Sequence, residues 1–115
     1  MSENPLDRVT VAPEVLITIA KLTALGVPGV RKVAPVSGSV NRLFKKGTGD
    51  GVRIEVEDNT IYIELHLILN QDVNIREVSR NVQKNVARAI EEMAGMDVGY
   101  VNINIENIDY EDSEA

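Results

Sequence analysis

The chain has no cysteine and no tryptophan, and it carries one phenylalanine, three tyrosines and one histidine. Without a thiol there is no disulfide, no thiolate nucleophile and no cysteine-based metal site, and the absence fits a reducing compartment. With so few rings, the core has to be built from Val, Ile and Leu. No uninterrupted apolar run approaches the roughly 20 residues that span a bilayer as a helix. Met1–Asp7 is polar, with no apolar run behind a basic start, so it does not resemble a signal peptide. Internal repeats and low-complexity tracts are also missing. These absences lead to the expectation of a soluble, cytoplasmic protein.

What is present fits one domain, since 115 residues fall in the range of about 100–150 where single domains cluster. The expected domain runs from Arg8 to Asp109, with 1–7 and 110–115 as flexible polar tails. The net charge of −6 is unevenly spread. Residues 31–53 hold Arg31, Lys32, Arg42, Lys45, Lys46 and Arg53 against Asp50 alone. Residues 97–115 hold Asp97, Glu106, Asp109, Glu111, Asp112 and Glu114 with no cation. Net acidity argues against bulk nucleic-acid binding, while the basic cluster leaves room for a specific anionic partner.

Val9 and Val11 suggest a short strand over Arg8–Ala12. Pro13 suits the first turn of a helix, where its missing N–H costs nothing, and Glu14 suits the positive helix end. Glu14–Leu25 is apolar almost all round, which predicts a mostly buried helix stopped by Gly26 and Pro28. Val30–Val36 predicts a short extended piece, and the glycine- and serine-rich Ser37–Gly51 a mobile loop.

The clearest pattern is the alternation of Val52–Glu57 with that of Ile61–Leu67 across Asp58-Asn59. A two-residue turn sets Val56 against Ile61, Ile54 against Ile63 and Val52 against Leu65. The same register sets Arg53 against Glu64 and Glu55 against Tyr62 on the opposite face. A one-residue slip would bury those charges, so apolar pattern and charge pairing choose one hairpin.

Asn74 and Glu77 have capping-box spacing. Val78, Val82, Val86, Ala89, Ile90 and Met93 follow at helical spacing, with Arg76, Arg80, Lys84, Arg88 and Glu91 as a solvated flank and Gly95 as the stop. Val101, Ile103 and Ile105 predict a last strand, with Asn102, Asn104 and Glu106 on its outer side. The order β-α-(β)-β-β-α-β predicts an α+β two-layer sandwich, two helices on one face of a mixed or antiparallel sheet. The other sheet face would then be exposed, carrying Arg53, Glu55, Tyr62, Glu64, His66, Asn102 and Asn104.

No catalytic set emerges. His66, in phase with Glu64 and Tyr62, reads as a partly solvated sheet-face residue, and no serine is placed to receive its help. The carboxylates follow no calcium-loop spacing, so no metal is expected. Lys45–Gly51 lacks the Gly-Lys-Ser/Thr ending of a phosphate cradle and runs into a strand, so no nucleotide cofactor is expected either. Arg42-Leu43-Phe44-Lys45-Lys46 is the sharper candidate, an apolar pair among three cations that could dock on an acidic partner or touch an anionic membrane surface. The plainer reading folds Leu43 and Phe44 onto the core edge and leaves the cations wet.

Val27-Pro28-Gly29-Val30, the strand Ile61-Tyr62-Ile63-Glu64-Leu65-His66-Leu67, Ile75-Arg76-Glu77-Val78, Val82-Gln83, Ile90-Glu91 and Val101-Asn102-Ile103-Asn104-Ile105 occur in an order and spacing that resembles the alkaline-shock (general-stress) protein family of bacteria. The resemblance runs from Val9 to Ile108. It implies a small cytoplasmic, non-enzymatic protein of the envelope stress response, with no catalytic residues to carry over. Some members of that family are held at the membrane by a separate anchoring protein and act as scaffolds, and others are tied to acyl metabolism. The expectation is therefore a scaffold or adaptor with a protein partner, a membrane-anchored one included, without direct membrane insertion, and with room for a homo-oligomer. The alternative is a regulatory domain sensing a small molecule, which fold order supports by analogy only. Nucleic-acid binding through Arg42, Lys45 and Lys46 would need stacking aromatics, and that loop offers only Phe44.

Overall fold

The computed structural model describes residues 10–34, 48–49 and 51–109. In chain order they form α1 (Pro13–Leu25), β1 (Val30–Val33), β2 (Thr48–Gly49), β3 (Val52–Glu57), β4 (Thr60–Asn70), α2 (Ile75–Ala94) and β5 (Asp97–Asp109). Two helices lie on one face of a mixed sheet, an α+β fold.

β4 is the central strand. Its odd positions, Ile61, Ile63, Leu65, Leu67 and Leu69, are all 0% exposed, and its even positions face the opposite side. β3 pairs antiparallel with its first half, in the register the alternation dictates: Val52 with Leu65, Ile54 with Ile63, Val56 with Ile61, Arg53 with Glu64, Glu55 with Tyr62. Asp58 and Asn59 close this hairpin at φ 53° and 64°, the doubly left-handed turn whose twist matches two antiparallel strands.

β1 takes the same edge of β4 further along, Val30 opposite Leu69 and Val33 opposite Leu67. The two edge segments meet at His66, whose N–H donates to the Gly51 carbonyl (2.9 Å) and whose carbonyl accepts from the Ala34 N–H (2.7 Å). β5 runs parallel along the other edge of β4, from Thr60 opposite Asp97 to Asn70 opposite Asp109. The parallel pair requires a crossover, which α2 supplies.

α2 starts and stops as its sequence dictates. The Asn74 side chain accepts from the Glu77 N–H at 2.9 Å, and Gly95 takes the left-handed conformation that ends the helix. Val78, Val82, Val86 and Ile90 bury one stripe against Leu16, Ala20 and Ala24 of α1 and the odd face of β4. No polar or charged residue is buried among the described residues.

Several expectations need correcting. Residues 10–12 are not in a strand, and Arg8 and Val9 lie outside the described residues. α1 is not buried all round: Val15 is 48% and Leu22 62% exposed. Among the described residues no element packs outside the helix layer, so the Leu16-Ala20-Ala24 row is fully covered and Ile17 and Ile19 beside it only partly. Met93 is 69% exposed rather than core, because the buried stripe of α2 advances every fourth residue from Val78 through Ile90 to the partly buried Ala94 and leaves Met93 beside it. β2 adds a short pairing, Thr48 with Arg53 and Gly49 with Val52, inside the segment expected to be a loop.

Candidate functional site

The open face of the sheet gathers the residues expected there. Arg53 approaches Glu64 (3.8 Å) and Glu55 (3.9 Å). Asn104 Nδ2 donates to Glu64 Oε2 at 3.3 Å. Asn102 stands opposite Glu64, and Asn104 opposite His66. The Tyr62 ring meets that of Tyr100, centroids 4.9 Å apart and tilted by 50°. A shallow depression of about 140 Å³ lies among Arg53, Glu55, Tyr62, Glu64 and Tyr100.

His66 is the most enclosed of the ion-paired side chains of this cluster, 15% exposed. Its Nδ1 lies 2.7 Å from Glu106 Oε2, and its Nε2 lies 3.6 Å from Glu64 Oε2. Glu106 reaches the ring because β5 bulges there: Leu67 pairs with Ile105 but Ile68 with Asn107, leaving Glu106 as an extra residue. A bulge re-aims a side chain in this way. The alternation puts Glu106 on the outer side, yet its meeting with His66 depends on the bulge and on the parallel pairing.

The arrangement suits structure better than chemistry. Each imidazole nitrogen faces a different carboxylate, so the three groups do not converge on one point, and no cluster among the described residues is arranged to hold a metal ion. The hydroxyl-bearing residues along β4 on this face, Tyr62 and Thr60, stand roughly 13 and 20 Å from His66 at strand rise. Among the described residues the imidazole meets two carboxylates and no hydroxyl.

The residues Arg42, Leu43, Phe44, Lys45 and Lys46 lie outside the described residues. A second surface was missed by sequence reasoning. An open groove of about 870 Å³ runs between α2 and the outer edge of β5, with Arg76, Arg80, Gln83 and Lys84 on the helix side and Val98–Asn102 on the strand side. Gln83 Nε2 donates to the Val101 carbonyl at 2.9 Å. The signal was visible in the chain as cations repeating every fourth residue. The strand edge that they flank was not.

Comparison with known proteins agrees with this architecture. Residues 1–110 match the model of the ASP23 family, described by a cell envelope-related function. The uncharacterized protein YqhY of Bacillus subtilis (strain 168) is 31% identical over 111 residues, covering 95% of this chain and 82% of its own length. The uncharacterized protein Spy1535 of Streptococcus pyogenes serotype M6 is 29% identical, with 94% and 84% covered. Among solved structures, a triple-substituted form of the MamM CTD is similar with a TM-score of 0.55 at 15% identity, over 82% of this chain and 93% of that one. A single-substituted form of the same CTD gives 0.51 at 14% over the same shares. At such identities the likeness concerns the fold alone.

Proposed function

The chain belongs to the ASP23 family, which has a cell envelope-related function, and we propose that within it this protein is a non-enzymatic scaffold or adaptor that works by binding other proteins. The observation that carries the reading is the open sheet face. Its polar side chains engage one another, as Arg53 with Glu64, Glu64 with Asn104 and His66 with Glu106. They do not converge on a place for a substrate. Catalysis needs a nucleophile within reach of a base and an orienting group, and among the described residues the His66 ring meets carboxylates alone.

No helix among the described residues is long and apolar enough to cross a membrane. The proposal therefore places the protein in the cytoplasm and assigns any membrane recruitment to a membrane-anchored protein partner. Arg42, Leu43, Phe44, Lys45 and Lys46 belong to it as a contact segment for an acidic partner.

The test is affinity capture from the native organism followed by mass spectrometry, comparing wild type with a variant carrying Arg42→Ala, Lys45→Ala and Lys46→Ala. Wild type should recover a reproducible protein partner, and the variant should recover several-fold less while melting at the same temperature. Unchanged capture removes the loop from the proposal. One observation favours a second reading, a small-molecule sensor, because the α2–β5 groove falls within the roughly 300–1,000 Å³ range of ligand sites. Its wide opening to solvent fits a small metabolite poorly. A ligand at 100 times its Kd would stabilise the fold by about 2.7 kcal/mol. A reproducible thermal shift with one metabolite class, without a captured protein, would replace the scaffold reading.

A further inference from the structure

We propose that the groove between α2 and the outer edge of β5 captures an extended acidic segment of a partner protein, which adds as a strand beside β5 with alternate carboxylates over Arg76, Arg80 and Lys84. The inference rests on the scaffold reading and names the surface and the partner chemistry for it.

Three observations converge. Among the described residues β5 pairs with β4 alone, so its other edge is available along the groove. An edge strand presents unpaired N–H and C=O groups and is a template for another extended chain. The Gln83–Val101 bond places this backbone at the groove: the Val101 carbonyl takes a donor from the helix side. Because a carbonyl oxygen has two lone pairs, it can keep the Gln83 amide and still accept from an incoming strand. By strand alternation Ile103 turns its N–H and carbonyl the same way.

The second observation is charge. Arg76, Arg80 and Lys84 all line the groove, where Glu77 is the single carboxylate-bearing residue. No carboxylate of the described residues forms an ion pair with these three, whereas the next cation of the row, Arg88, is held by Glu92 at 3.5 Å. In a chain of net charge −6 this cationic row stands against the overall sign. It would favour an acidic segment and disfavour a basic one.

The third is spacing. Four residues advance a helix by about 6 Å, and two residues advance a strand by about 6.7 Å. A segment with acids at every second position therefore keeps step with cations at every fourth. Along three cations the mismatch accumulates to little more than about 1 Å, which long Arg and Lys side chains absorb. The segment selected is acid-x-acid-x-acid in extended conformation, its other face turned from the helix.

The experiment titrates the full chain with a fluorescent synthetic peptide alternating Glu and Val. It is set against the same pattern with Lys for Glu and against a copy N-methylated at alternate amides. The acidic peptide should bind with an affinity that falls as salt rises. The Lys peptide should not bind, and the N-methylated copy should lose about tenfold or more because it cannot form the ladder. Substituting Arg76→Ala, Arg80→Ala and Lys84→Ala together should weaken binding by about tenfold or more without lowering the melting temperature. Amide exchange at Val101 and Ile103 should slow when the acidic peptide is bound.

Equal binding of acidic and basic peptides, undiminished binding to the triple variant, or unchanged exchange at Val101 and Ile103 would overturn the proposal. So would peptide-free self-association that the triple variant abolishes, since the occupant would then be a second copy of this chain. Native partners captured equally by wild type and triple variant refute the groove and leave the scaffold reading intact. Failure of both forms to capture any protein takes down the scaffold reading itself.

Discussion

Gly51 stands where β1 and β3 abut on one edge of β4, with φ at +76°. A Cβ there would collide with the Ala34 carbonyl oxygen and the Val33 side chain, and left-handed backbone adds its own penalty. Gly99 is constrained differently. Ile61 pairs with Val98 and Tyr62 with Tyr100, so Gly99 is the extra residue of a bulge, and a Cβ on it would enter the Tyr62 ring. Gly51→Ala is expected to lower unfolding free energy by about 3 kcal/mol or more, because backbone cannot step aside. Gly99→Ala should cost about 1–2 kcal/mol, much of it relieved in a Tyr62→Ala background, since the obstacle is a single ring. Urea unfolding of the two single variants and the double-mutant cycle measures both. Additive effects at Gly99 and Tyr62 would contradict the contact. At this scale Glu106 shows what sequence leaves out. Its outward facing was readable, but its 2.7 Å approach to His66 joins residues forty positions apart through a pairing that no local pattern encodes.

Elements differ in how openly the sequence declares them. The β3–β4 hairpin was legible pair by pair, because alternation of apolar and charged residues leaves one register that buries no charge. α2 was legible because its cap, stripe and stop agree. Asn74→Ala, which removes the acceptor for the Glu77 N–H, should destabilise the protein by about 1 kcal/mol. Asn74→Asp should retain most of that stability, and thermal and urea melts of the two variants decide. α1 was less legible: apolar residues all round do not say which side is covered, and only contact with α2 and the sheet selects Leu16, Ala20 and Ala24. β5 begins at Asp97, ahead of the alternation at Val101, because the bulge at Gly99 interrupts the period on which the sequence reading relies. The flank Arg76, Arg80, Lys84 and Arg88 reads as ordinary solvated charge on the helix alone. It becomes one wall of a groove once β5 lies beside it.

The whole molecule shares one core, with residues of α1, β1, β3, β4, α2 and β5 in a single buried cluster. Unfolding should therefore be a single cooperative step. Tyrosine fluorescence, which reports partly on Tyr62 and Tyr100 of the open face, should give the same urea midpoint as far-ultraviolet circular dichroism. Separate midpoints would mean that the sheet and the helix layer come apart independently. By itself the sequence determined the α+β class, the hairpin register, the limits of α2 and the facing of the open sheet. These depend on local periodicity, turn chemistry and residue inventory, which a linear chain displays. Tertiary structure alone decided that β1 and β3 share an edge of β4, that β5 runs parallel along the other edge, and that its free side meets the cationic row of α2. Strand order and edge exposure are set by which elements pair across long separations, and a residue pattern is blind to what lies beside it.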